Sequence, residues 1–70
     1  MKTIKSPMAG SVWKIVAAVG QDVDYGDTIA ILESMKMEIP VEADSAGKIT
    51  KICVAEGEVV DEGVVLVELA

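Results

Sequence analysis

A chain of 70 residues is expected to form one domain over residues 1–70, near the size at which only about 60% of the unfolded surface becomes buried, with no room for a deep substrate cleft. The net charge is −6 and the six lysines are scattered, with no arginine among them, which argues against a nucleic-acid surface and leaves no bidentate anion clamp. Histidine is absent and Cys53 is the single cysteine, so neither the commonest proton shuttle nor an internal disulfide nor a multi-cysteine metal site can be assembled, and the expected counts of catalytic and metal-binding residues are both zero.

From the N-terminus, Met1-Lys2-Thr3-Ile4-Lys5 lacks the apolar segment of a signal peptide, and no later stretch reaches transmembrane length, so a cytoplasmic chain without membrane insertion is expected. Short β-branched runs follow at Ser11 to Val16, Thr28 to Ser34, Met37 to Val41, Lys48 to Val54 and Val64 to Leu69. Glycine-bearing turns separate them and no helical stripe intervenes, which predicts strands throughout. The pattern Gly-x-x-Val-Asp-x-Gly occurs at Gly20 to Gly26 and again at Gly57 to Gly63. Each copy predicts a turn, a very short strand anchored by Val23 or Val60, and a second turn.

The recurrence is global. A shift of 37 positions lays Ser6 to Glu33 on Ala43 to Ala70 without a gap and pairs Gly10, Gly20 and Gly26 with Gly47, Gly57 and Gly63. Two matched halves of strands, each unable to bury its apolar face alone, predict an all-β, flattened antiparallel barrel-sandwich with an internal two-fold. Ile15, Val23, Leu32, Ile52, Val60, Val65, Val67 and Leu69 are expected in its core. Alternation leaves the facing of Ile29 and Ile31 open, because their mates are Leu66 and Glu68. Val12 and Val16 share parity with Lys14, which suggests a bulge there. Cys53, opposite Val16 in the repeat, is expected to be a small packing residue.

Between the halves lies Glu33-Ser34-Met35-Lys36-Met37-Glu38. With strands ending near Ser34 and restarting near Met37, Met35 and Lys36 would form a two-residue hairpin turn. Such turns need positive φ at their central residues and favour Asn-Gly, so Met-Lys is a poor choice for stability. Sequence rules break most often at functional sites. The plain alternative is a solvated lysine flanked by two core methionines.

The run Glu33-Ser34-Met35-Lys36-Met37 resembles the Glu-Ala-Met-Lys-Met signature of the biotinyl domains of biotin-dependent carboxylases and decarboxylases, with Ser34 in place of the usual Ala. The similarity covers the whole chain. Ser6-Pro7-Met8-Ala9-Gly10 is similar to the family's Ala-Pro-Met-Pro-Gly opening, with Ala9 in place of Pro, and Gly57-Glu58-Val59-Val60 with Gly63-x-x-Leu66 is similar to its closing segment. The resemblance implies a barrel-sandwich hybrid in which Lys36 carries covalent biotin and Glu33, Met35 and Met37 are read by the biotin protein ligase.

The same resemblance implies a carrier rather than an enzyme: a swinging arm that takes carboxylate from a biotin carboxylase subunit to a carboxyltransferase subunit. It further implies that the base for attachment comes from the ligase, since this chain supplies none. Lipoyl domains share the fold but usually show Asp-Lys-Ala at the lysine. Lipoate, added by a lipoyl ligase alone or besides biotin, is therefore the alternative, and an unmodified barrel-sandwich adaptor is a second one. The gapless repeat also leaves no room for the protruding thumb loop of some biotin carriers.

Overall fold

A computed structural model describes residues 2–70. Every regular element in it is a β-strand: β1 (Lys2–Lys5), β2 (Gly10–Ile15), β3 (Asp22–Val23), β4 (Thr28–Ser34), β5 (Met37–Glu42), β6 (Gly47–Ile52), β7 (Val59–Val60) and β8 (Val65–Leu69). They form two antiparallel four-stranded sheets, in the orders β1-β8-β6-β3 and β5-β4-β2-β7. Exchanging β1 with β5, β2 with β6, β3 with β7 and β4 with β8 converts one order into the other. The internal two-fold is real, and each sheet draws strands from both halves.

Backbone hydrogen bonds repeat with the same symmetry. Gly20 N donates to Ile49 O at 2.8 Å as Gly57 N donates to Val12 O at 2.7 Å, and Ser6 N donates to Val64 O at 2.8 Å as Ala43 N donates to Asp27 O at 2.8 Å. The predicted turns also recur. Gln21 N closes on Ala18 O while Ala18 N donates to Gln21 Oε1, both at 3.1 Å, and Glu58 closes on Ala55 in the same way. Gly20 and Gly57 take φ of 91° and 89° at these corners, values that a side chain would make costly. Only 16–21 link β2 to β3 and only 53–58 link β6 to β7, so no thumb projects from either half.

The core extends the repeat beyond the stretch visible in the sequence. The buried residues are Ile4, Ser6, Val12, Ala17, Val23, Ile29, Ala30 and Leu32, together with Val41, Ala43, Ile49, Val54, Val60, Leu66, Val67 and Leu69. Each of the first eight lies 37 positions before one of the second eight. Ser6, the one polar member of the set, is satisfied by donating from Oγ to Met8 O, while its backbone N–H and C=O pair with Val64 and Gly63.

Five of the eight expected core residues are buried: Val23, Leu32, Val60, Val67 and Leu69. Ile15 and Ile52 are half-buried against the core, and Val65 is half-buried. Val12, Ile49, Ile29 and Leu66, not assigned to the core from the sequence, are almost wholly inaccessible. The cause is a set of bulges. Pairing with β4 slips at Trp13, as pairing of β6 with β8 slips at Thr50, so Val12 and Ile15 both face inward across an extra residue. Corresponding slips at Ile29 and Leu66 turn the neighbours Ile29–Ala30 and Leu66–Val67 inward together. Ile31 and Glu68 remain half-exposed.

Strand β1 was not expected. It has four residues and one buried side chain, Ile4, and it pairs with β8 at the far end of the sequence.

Candidate functional site: the Met35-Lys36 hairpin

Strands β4 and β5 pair in register, with Leu32 opposite Ile39, Glu33 opposite Glu38 and Ser34 opposite Met37. This leaves Met35 and Lys36 as the two central residues of the turn. Their φ values are 52° and 65°, the only positive values at non-glycine residues among the described chain. Both therefore occupy the left-handed region, at a cost of about 1 kcal/mol or more for an ordinary side chain.

Nothing in the packing repays that cost. Met35 is 92% exposed and Met37 63%, so neither is a core methionine, and Lys36 is exposed between them. Lys2 provides a contrast: its Nζ donates to Ala46 O. Glu33 and Glu38, both exposed, face each other across the base of the hairpin, where like charges directly opposite disfavour pairing. The sequence placed Lys36, Met35, Met37 and Glu33 at one site, and the fold brings them together on one hairpin. Glu38, named in the same run but given no role from the sequence, is held opposite Glu33 by the two-residue turn.

Gly10 was also missed as a member of the site. A Cβ on it would lie 2.9 Å from Glu33 O and 3.5 Å from Ser34 Cβ. The absent side chain lets β2 run close beside the end of β4, its neighbour in the sheet, at the base of the hairpin. Gly47 occupies the equivalent place, 2.9 Å from Ala70 O. Residues 33 and 70 are themselves repeat mates, so the two glycines make the same close approach in each half.

Among the described residues there is no cavity, and no cluster of His, Cys, Asp or Glu could hold a metal ion. Cys53 lies away from the hairpin, half-buried, with Sγ donating to Glu68 Oε2 at 3.6 Å. Burial, and then the Glu68 carboxylate as charge and as hydrogen-bond acceptor, push its thiol above the ordinary value. Such a thiol is a packing group rather than a nucleophile. What the hairpin offers chemically is an accessible primary amine on a tight turn, which is what a covalently tethered cofactor requires.

A family model described as biotin-requiring enzyme matches residues 2–69. The biotin/lipoyl attachment protein of Bacillus subtilis (strain 168) is 46% identical over 68 residues, covering 97% of this chain and 93% of that protein. The biotin-dependent acyl-coenzyme A carboxylase alpha3 subunit of Mycobacterium leprae (strain TN) is 44% identical over 66 residues, covering 94% of this chain but 11% of that subunit. Among solved structures, Kluyveromyces lactis urea carboxylase matches with a TM-score of 0.91 at 38% identity, over 99% of this chain and 6% of that one. The chain belongs to the biotin/lipoyl attachment domain family, and it spans only a small part of the carboxylases it matches.

Proposed function

We propose that Lys36 carries biotin in amide linkage and that the loaded domain serves as a carboxyl carrier between a biotin carboxylase and a carboxyltransferase. The observation that carries this reading is the turn: two exposed, left-handed residues, Met35 and Lys36, kept where Asn-Gly would be more stable. In attachment, Lys36 Nζ attacks the acyl carbon of a biotinyl-adenylate. The C–N bond forms as the acyl–phosphate C–O bond breaks, AMP leaves, and the amine proton passes to a base in the ligase. Met35, Met37 and Glu33 are the side chains the ligase reads around that amine.

Biotin, once attached, supplies a ureido nitrogen able to take up and release carboxylate. The domain's own part is geometric. A stiff hairpin on a small barrel holds the root of the arm, and tethering raises the local concentration of its tip at two separate sites without new contacts.

The test incubates the chain with biotin ligase, ATP and biotin and maps the product. One biotinyl group is expected on the peptide containing Lys36 and none on the other five lysines, with no labelling of Lys36→Arg. Labelling at Lys2 or Lys48 with Lys36 free would overturn the assignment. The name of the Bacillus subtilis relative favours testing lipoate as well. Met35→Asp with Met37→Ala is expected to lower biotinylation relative to lipoylation, and an unchanged ratio would show that these flanks do not discriminate.

A further inference from the structure

Methionine is an apolar side chain that ordinarily fills core gaps, and its oxidation ordinarily damages a fold by placing a polar sulfoxide where a thioether was packed. This chain separates the two situations. Met8 is partly buried and packs against the core, whereas Met35 and Met37 stand clear of it at 92% and 63% exposure. The exposed pair brackets Lys36, so among the described residues both solvent-facing thioethers lie within one residue of the amine.

We infer that Met35 and Met37 form a peroxide-sensitive modification site whose oxidation weakens recognition of the Lys36 hairpin without unfolding the barrel. The recognition half of this inference rests on the reading of Lys36 as a ligase substrate; the oxidation half does not. Each thioether sulfur attacks one oxygen of hydrogen peroxide. The S–O bond forms as the O–O bond breaks, the sulfur loses two electrons, and the displaced hydroxide takes a proton and leaves as water. The product is a sulfoxide, polar and chiral, in place of a flexible apolar group. Because neither side chain belongs to the core or packs against it, the native state loses no core contact. An enzyme that encloses the hairpin must instead desolvate a strong new acceptor on each side of the amine.

The experiment treats the unmodified chain with hydrogen peroxide, quenches it at intervals and maps the added oxygen by peptide mass. Met35 and Met37 should oxidise several-fold faster than Met8, and the thermal midpoint of the doubly oxidised chain should match the parent. Biotin ligase should then label the oxidised chain about tenfold more slowly, a loss of about 1.4 kcal/mol in transition-state binding. Methionine sulfoxide reductase should restore the rate. For Met35→Leu with Met37→Leu, the rates before and after peroxide should be equal.

Oxidation of Met8 as fast as the hairpin pair would overturn the site, and a drop in thermal midpoint would overturn the claim that recognition and folding are separate. Parent-rate labelling of the oxidised chain would overturn the effect on recognition while leaving biotin attachment standing. If the untreated chain is not labelled at all, it is the attachment reading that fails, and the recognition half fails with it.

Discussion

At the scale of single residues, the left-handed backbone of Met35 and Lys36 sets strain against use. Replacing the pair by Asn-Gly, Met35→Asn with Lys36→Gly, supplies residues that adopt the turn readily. It should raise the free energy of unfolding by about 1–2 kcal/mol while removing the amine. Lys36→Arg keeps the turn and should change stability by no more than about 0.5 kcal/mol, because an exposed side chain is being exchanged for another. Urea melts of the three proteins distinguish the cases, and identical midpoints for the Asn-Gly variant and the parent would mean that the turn stores no strain. Cys53 gives a prediction in pH. Its folded thiol is raised by burial and by Glu68, so the folded state holds the proton more tightly than the unfolded one. The resulting stabilisation is complete below the unfolded thiol's titration range and is lost as pH rises through the folded value. Glu68→Gln removes the charge, so Cys53 should alkylate faster with iodoacetamide in mildly alkaline buffer than in the parent. An unchanged rate would mean that burial alone sets the thiol.

Among the elements, the hairpin was legible in the sequence because the runs either side of Met35-Lys36 left only two residues to turn. The expected two-residue turn and its two positive φ values are what the structure contains. Facing within the strands was less legible. Strict alternation that puts Ile15 inside must put Val12 outside, and only an extra residue at Trp13 lets both face inward. Parity in the sequence signalled a bulge near Lys14. For Ile29 and Ile31 it signalled only an ambiguity, since their repeat mates, Leu66 and Glu68, differ in polarity. Strand β1 escaped because its lysines surround a single buried residue and its pairing partner is remote in sequence. Its signal was the 37-residue shift carried further back, which sets Ile4 on Val41. Gly10→Ala tests how the hairpin is seated. A Cβ 2.9 Å from Glu33 O must push backbone away, so a loss of about 1–3 kcal/mol is expected. Slower labelling of Lys36 should accompany it. An alanine variant with parent stability would mean that β2 and the hairpin base yield freely.

For the whole molecule, the decisive fact is that neither half owns a sheet: β1 and β3 complete a sheet whose middle strands, β8 and β6, come from the second half, and the converse holds for the other sheet. A fragment of residues 1–36 or of residues 37–70 therefore has strands but lacks the partners that would cover their apolar faces. Each fragment alone should give narrow amide dispersion in its proton NMR spectrum, and the full chain should unfold in a single transition seen alike by circular dichroism and Trp13 fluorescence. A half that folds stably as a monomer would contradict the interlocked core. The same interlocking carries a consequence for ancestry. A peptide of half this length could bury its apolar face only by meeting a second copy of itself, so the natural forerunner of such a chain is a symmetric dimer of short peptides, later fused in tandem. Fusion would have turned one of the two equivalent strand ends into a covalent bend and left the other as the meeting place of β1 and β8. On that view the Met35-Lys36 turn is the seam of a duplication, the place where two separate strand ends became one continuous bend.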